Sequence, residues 1–161
     1  MGLMLIYVLL KPLNIKQQVY DEIPALEVSS FTLYELNKEN LKTIMKGSEA
    51  IQFDDRYVVS HIDFTDNSKQ YIAKMKAKKG VYKNEIVELK GDVTYKREDG
   101  LTFHTNKATY NKKTNVTFIN GEFISSQAQN KLTGSALSYN NIQKKANAKN
   151  ITLTYQLKES N

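Results

Sequence analysis

Met75-Lys-Ala77-Lys-Lys-Gly80-Val-Tyr82, Phe103-His-Thr105-Asn-Lys-Ala108-Thr-Tyr110 and Leu132-Thr-Gly134-Ser-Ala-Leu137-Ser-Tyr139 are three copies of one phrase. Each runs large apolar, any residue, small, two of any kind, small or apolar, any residue, tyrosine. A fourth copy, Met45-Lys-Gly47-Ser-Glu-Ala50-Ile-Gln52, closes on glutamine instead. The copies begin at 45, 75, 103 and 132, so the steps are 30, 28 and 29 residues. A fixed period of this length marks one supersecondary unit stacked on copies of itself.

What fills the period is β-structure. After each tyrosine comes a turn, at Lys83-Asn84, Asn111 to Asn115 and Asn140-Asn141. A second apolar run follows, as in Ile86-Val87-Glu-Leu89, Val116-Thr-Phe118-Ile119 and Ile151-Thr-Leu153-Thr-Tyr155. Val87, Leu89, Val93 and Tyr95 alternate with polar residues, as do Ile151, Leu153 and Tyr155, which is the pattern of a half-buried strand. Gly91 and Gly121 mark bulges or tight bends. Asp99-Gly100 and Asn120-Gly121 read as hairpin turns. Leu26, Val28, Phe31 and Leu33 suggest a first strand, and Leu41 to Met45 returns from it. The expected fold is all-β, with about two antiparallel, strongly bent strands per period.

At 161 residues the chain is long enough for one domain with its own core. There is no cysteine, which excludes a disulfide scaffold, a thiolate zinc site and a cysteine nucleophile. Leu3 to Leu10 is continuously apolar, but eight residues fall short of the roughly 20 that a membrane helix needs. No basic residue leads into it, and no small-x-small cleavage site follows, so it is not a secretory signal. Three readings stay open for it: the end of a membrane anchor, a short buried strand, or a truncated start. The expected organisation is an anchor remnant at 1–11, a polar linker at 12–23, the β-domain at 24–157 and a tail at 158–161.

The net charge of +6 comes from 23 Lys and Arg against 17 Asp and Glu. Most lysines sit beside turns or along strands, where charge solvates a loop or blunts a sheet edge. Nucleic acid is disfavoured, since Arg56 and Arg97 are the only arginines and the aromatics occupy the inward register. His61 and His104 lie in different periods. No catalytic triad order, metal-binding histidine pair or phosphate-cradling glycine loop is present. The sequence points away from an enzyme, a metal and a cofactor.

The phrase, together with Leu89-Lys-Gly-Asp-Val93 and Asp99-Gly-Leu-Thr-Phe-His-Thr105, resembles the repeat of the OstA-type domains of lipopolysaccharide export. Its short apolar lead, polar linker and single repeat domain resemble the LptC family most. The resemblance spans about residues 24 to 157. It departs from the family pattern at Gln52 and in the brevity of the apolar lead.

The resemblance implies an open β-jelly roll in the periplasm, tethered to the inner membrane by its N-terminal segment. Its interior would be a trough for the acyl chains of lipid A, with lysines at the mouth for the phosphates. It would take lipopolysaccharide from the inner-membrane ABC transporter and relay it to a soluble bridge protein of the same fold. The candidate lipid-contacting residues are Met75, Ala77, Tyr82, Leu89, Phe103, Ala108, Tyr110, Phe118, Leu132 and Tyr139. The candidate bridge edge is Ile151, Thr152, Leu153, Thr154 and Tyr155. The candidate transporter edge is Leu26, Val28, Phe31 and Leu33. Edge pairing would also permit a homo-oligomer. Two other classes stay open: an adaptor β-domain with a full core, and a polyanion-binding module using the lysines.

Overall fold

The computed structural model describes residues 23–157. Nine strands follow in order: β1 (Leu26–Leu36), β2 (Leu41–Gln52), β3 (Tyr57–Asp66), β4 (Ala73–Lys83), β5 (Ile86–Arg97), β6 (Thr102–Asn111), β7 (Val116–Gln127), β8 (Asn130–Asn140) and β9 (Lys145–Thr154). They form one sheet in sequential order, each strand antiparallel to the next. The described residues contain no helix, and β1 and β9 are the two free edges of an unclosed sheet. The fold is therefore all-β, an open jelly roll. Each period is one hairpin: the phrase occupies β2, β4, β6 and β8.

The phrase also explains why the strands bend. In a regular strand, residues on one face recur at every second position. The inward residues of β4 are Met75, Ala77, Gly80 and Tyr82, with a step of three in the middle. One extra residue between same-face pairs is what a β-bulge inserts. The register shifts at mid-strand, between Lys76 and Lys79, Lys90 and Val93, Thr105 and Thr109, and Ile119 and Glu122. Left-handed backbone lies along the same line, at Ser30 (φ 48°), His61 (52°), Gly91 (79°), Asp92 (45°), Ala136 (56°) and Asn150 (53°). The same spacing recurs in β1 (Leu26, Val28, Phe31, Leu33), β3 (Tyr57, Val59, Ile62, Phe64) and β9 (Ala146, Ala148, Ile151, Leu153). In β5 and β7 the middle step widens to four, around Gly91 and Gly121.

These bulges crease the sheet so that the two halves of each strand face one another. The seven residue steps from Met75 to Tyr82 would span about 23 Å in an extended strand. Yet Met75 near one end of β4 and Tyr82 near the other line the same cavity. The small residues of the phrase stand beside the crease, where the inner faces approach most closely. A Cβ on Gly80 would lie 2.6 Å from Ile62 Cδ1, and one on Gly134 would lie 2.5 Å from Ile151 Cδ1 and 2.9 Å from Phe123 Cζ.

The core is unevenly distributed. Met45, Val59 and Ile62 are almost wholly buried, and with Ala50, Phe64, Ala77, Val87, Leu89 and Val93 they fill the interior from β2 to β5. Phe31 and Leu33 of β1 pack against them. At the other end, every residue of β9 is exposed. Nothing among the described residues covers the apolar side chains of Ile151 and Leu153 there, which are 46% and 58% exposed.

Two local expectations are corrected. Asn120-Gly121 is not a turn but lies inside β7, at its crease. The last strand begins earlier than its apolar run, at Lys145, because Ala146 and Ala148 continue the inward spacing; it ends at Thr154, which leaves Tyr155 beyond it. The proposed anchor remnant, the linker up to residue 22 and the tail lie outside the described residues.

Candidate functional site: an apolar trough and its mouth

Between the creased halves the interior is not filled from β4 onward. A cavity of about 280 Å³ is lined by Met75 and Tyr82 of β4, Val87, Leu89, Val93 and Tyr95 of β5, Phe103, Ala108 and Tyr110 of β6, and Thr117 and Ile119 of β7. A wider cleft of about 660 Å³ shares Met75, Tyr95, Phe103, Thr117 and Ile119 with it and extends to Leu137 and Tyr139 of β8. Sites that take drug-sized ligands span roughly 300–1,000 Å³ and are mostly apolar with a few polar groups. Together these spaces form a trough whose floor is the crease.

The tyrosines of the phrase form a row along one wall. Tyr82 is opposite Val87, Val87 opposite Tyr110, Tyr110 opposite Thr117 and Thr117 opposite Tyr139, so all five share one face. Tyr110 donates its hydroxyl hydrogen to Asn115 Oδ1 at 2.9 Å, which turns the polar end of the ring toward the rim. Phe103 and Phe123 stack at 5.5 Å on the opposite wall. Burial raises the Tyr95 pKa above its usual value, so this phenol is neutral across the physiological range. In the first hairpin Gln52 takes the tyrosine's place; its Nε2 donates to the Tyr57 hydroxyl at 3.5 Å, and its buried Oε1 has no partner.

The candidate residues fall out as follows. Met75, Tyr82, Leu89, Phe103, Ala108 and Tyr110 line the cavity, and Tyr139 lines the cleft. Ala77 is buried at the crease, and Leu132 is on the inner face opposite Ser125 and Leu153. Phe118 is a correction. It stands on the outer face, 44% exposed, because Thr117 and Ile119 hold the inward positions of β7. The apolar run Val116-Thr-Phe118-Ile119 offers apolar side chains to both faces, so it does not by itself fix the register. The sequence reading missed Val87, Val93, Tyr95 and Ile119 as lining residues; the four-residue steps over Gly91 and Gly121 were the available signal. Leu26, Val28, Phe31 and Leu33 lie on edge strand β1, and Ile151, Thr152, Leu153 and Thr154 on edge strand β9.

Because the sheet is creased, both sets of turns meet at the mouth. Lys69, from the turn at 67–72, lines the same cavity as Lys112 and Asn141, from the turns on the opposite rim. Arg97 is held by Asp99 through a two-pronged pair at 2.7 and 2.6 Å, and this guanidinium keeps the Asp99 carboxyl below its usual pKa.

The outer face is different in kind. Lys78 pairs with Asp92 at 2.7 Å, Lys76 with Asp63 at 3.3 Å, and Lys90 and Lys107 both with Glu88 at 2.7 and 3.0 Å. Hydrogen bonds from Lys90 and Lys107 hold the Glu88 pKa low. His61 Nδ1 lies 2.8 Å from Ser48 Oγ. His104, in another strand, faces Asp92 at 3.7 Å, and no group of three His, Asp or Glu side chains among the described residues could hold a metal ion.

No helix among the described residues is long and apolar enough to cross a membrane. A family model described as "Lipopolysaccharide-assembly, LptC-related" matches residues 3–156, nearly the whole chain. A comparison with curated proteins finds no match.

Proposed function

This chain belongs to the LptC-related family of lipopolysaccharide-assembly proteins, and from that premise we propose that its trough holds the acyl chains of lipid A. The observation that supports this reading is the apolar space left between β4 and β8, bounded by Met75, Phe103 and Tyr110. Moving acyl chains out of water yields about 25 cal/mol per Å², enough to hold a lipid without any bond being made. The protein is a carrier, not a catalyst. It works in the periplasm, tethered to the inner membrane by the segment that precedes the β-domain.

A photo-crosslinking residue at Met75 or Tyr110 is expected to capture lipopolysaccharide, and one at Phe118 or Ile124 on the outer face is not. Equal capture inside and outside, or none at all, overturns the trough. A dry, fully packed interior would instead mean an adaptor domain. On the outer face Lys76, Lys78, Lys90 and Lys107 are each paired with a carboxylate, which lowers the positive charge those four offer to a polyanion.

The edges supply direction. An unpaired edge is protected or used for strand addition. β1 packs on a filled core and faces the ABC transporter, whereas β9 is uncovered and receives a bridge protein of the same fold, whose interior continues the trough. Neighbouring residues of a strand send their N–H groups to opposite sides. Of Thr152→Pro and Leu153→Pro, one removes a donor from the free edge and the other a donor to β8. The variant that keeps its thermal transition is expected to bind the bridge protein about tenfold more weakly, the loss of roughly one hydrogen bond and its alignment. Full retention of the bridge by that variant in a pull-down assigns docking to another surface. Self-association through the same edge would appear as a dimer in sedimentation.

A further inference from the structure

We propose that Asn120-Gly121 is a site of self-modification, where the backbone nitrogen of Gly121 attacks the Asn120 side chain and converts it, with loss of ammonia, to aspartate and isoaspartate. The proposal is independent of what fills the trough. A strand ordinarily blocks this reaction, because the ladder engages its backbone N–H groups and fixes its dihedrals. The crease lifts that protection here. Between β7 and β8 the register passes from Ile119 opposite Leu137 to Glu122 opposite Ser135. Between β6 and β7 it passes from Phe118 opposite Thr109 to Phe123 opposite Thr105. Neither Asn120 nor Gly121 therefore has a register partner on either side, and both are exposed. No hydrogen bond ties the Asn120 amide among the described residues. Other asparagines are held: Asn37, Asn111 and Asn140 accept N–H groups of their own turns, and Asn67 donates to the Leu41 carbonyl at 3.4 Å.

The residue after the asparagine decides how closely its nitrogen can approach, and glycine, lacking a Cβ, hinders least. Nothing lies within 4 Å of the place a Cβ on Gly121 would take. Gly91 holds the equivalent position in β5, but Lys78 stands 2.8 Å from its would-be Cβ, and a lysine, Lys90, precedes it. In the reaction the Gly121 nitrogen gives its proton to hydroxide and bonds to Asn120 Cγ. The Cγ–Nδ2 bond breaks, and Nδ2 leaves as ammonia with a proton from water. Water then opens the ring at either carbonyl, giving aspartate or, with the main chain rerouted through the side chain, isoaspartate. Water is the only co-reactant. Isoaspartate adds one carbon to the backbone between Ile119 and Phe123, both 3% exposed and facing the interior. It also places a new carboxylate two positions from Glu122. The modification thus loosens the crease of β7.

The test incubates the full chain in mildly alkaline buffer, folded and, in parallel, unfolded in urea. Peptide mapping by mass spectrometry locates the deamidation, and methylation by an isoaspartyl methyltransferase counts the isoaspartate. In the folded chain Asn120 is expected to react at least about tenfold faster than Asn67, which is held by hydrogen bonds and followed by a residue with a Cβ. Its folded rate is expected to stay within about tenfold of the unfolded one, as for a segment outside the protected ladder. Gly121→Ala is expected to slow the reaction about tenfold and to fold normally, since Gly121 is not in the left-handed region and has room for a methyl group. Should that variant fail to fold, Asn120→Gln, which would have to close a larger ring, is expected to remove the isoaspartate instead. The isoaspartyl fraction, separated by ion exchange, is expected to melt below the fresh protein. Isoaspartate at Asn120 in the unfolded chain but not in the folded one overturns the proposal, as does a folded rate no greater than that of Asn67. An isoaspartate count undiminished in the variants places the reaction at another residue. A modified fraction that melts like the fresh protein overturns the loosening of the crease.

Discussion

Ile62→Ala is expected to lower the unfolding free energy by about 3 kcal/mol, within the range for emptying a fully buried aliphatic position. Ile62 is 2% exposed, in the core shared by β2, β3, β4 and β5. Its Cδ1 atom fills the space that the missing Cβ of Gly80 leaves open. The void falls at the crease, where the two halves are braced against each other and little can collapse into it. Urea unfolding followed by far-ultraviolet circular dichroism measures the change as a shift in midpoint at constant slope. A loss below about 1 kcal/mol would mean that the interior near β3 relaxes freely, and that the filled end of the trough is softer than its burial implies.

The second large effect is functional. Ala108→Trp is expected to abolish lipopolysaccharide capture by a crosslinker at Met75, with the thermal transition largely retained. Ala108 borders the 280 Å³ cavity together with Leu89 and Tyr110. An indole there takes up volume that is otherwise empty, so the overpacking penalty of about 1–3 kcal/mol seen in filled cores is an upper bound. Phe118→Trp, the same residue introduced on the outer face, is expected to capture lipid as wild type does. Undiminished capture by the Ala108 variant would place the acyl chains outside this cavity.

The period of the phrase and the inward face of β4, β6 and β8 were readable from residues alone, because tyrosine and small residues at fixed spacing leave one register. The three-residue step between Ala77 and Gly80 was present in the sequence as well. Its meaning needed the partner strands, since a bulge is defined by two residues facing one. Phe118 failed for a physical reason: an aromatic residue suits either face of a sheet, and only the pairing of Thr117 with Tyr110 and Tyr139 sets the parity of β7. Asn120-Gly121 misled because the left-handed freedom that makes a hairpin turn also serves a bend inside a long strand. Lys69 lies in a turn that no period describes. Its place at the mouth, across from Lys112, follows from the crease alone.

The strand order has a consequence for how the molecule comes to exist. Every strand pairs only with its neighbour in sequence, and partners as far apart as Leu26 and Gln52 are separated by 26 positions. The entropy of closing a loop rises with its length, and all-β proteins owe their slow folding to distant pairings. Here no distant pairing has to be found. A chain emerging N-terminus first completes one hairpin before the next is delivered, and each finished hairpin is the template for its successor. The strand left exposed at every stage is the newest one, and among the described residues β9 is the latest of them.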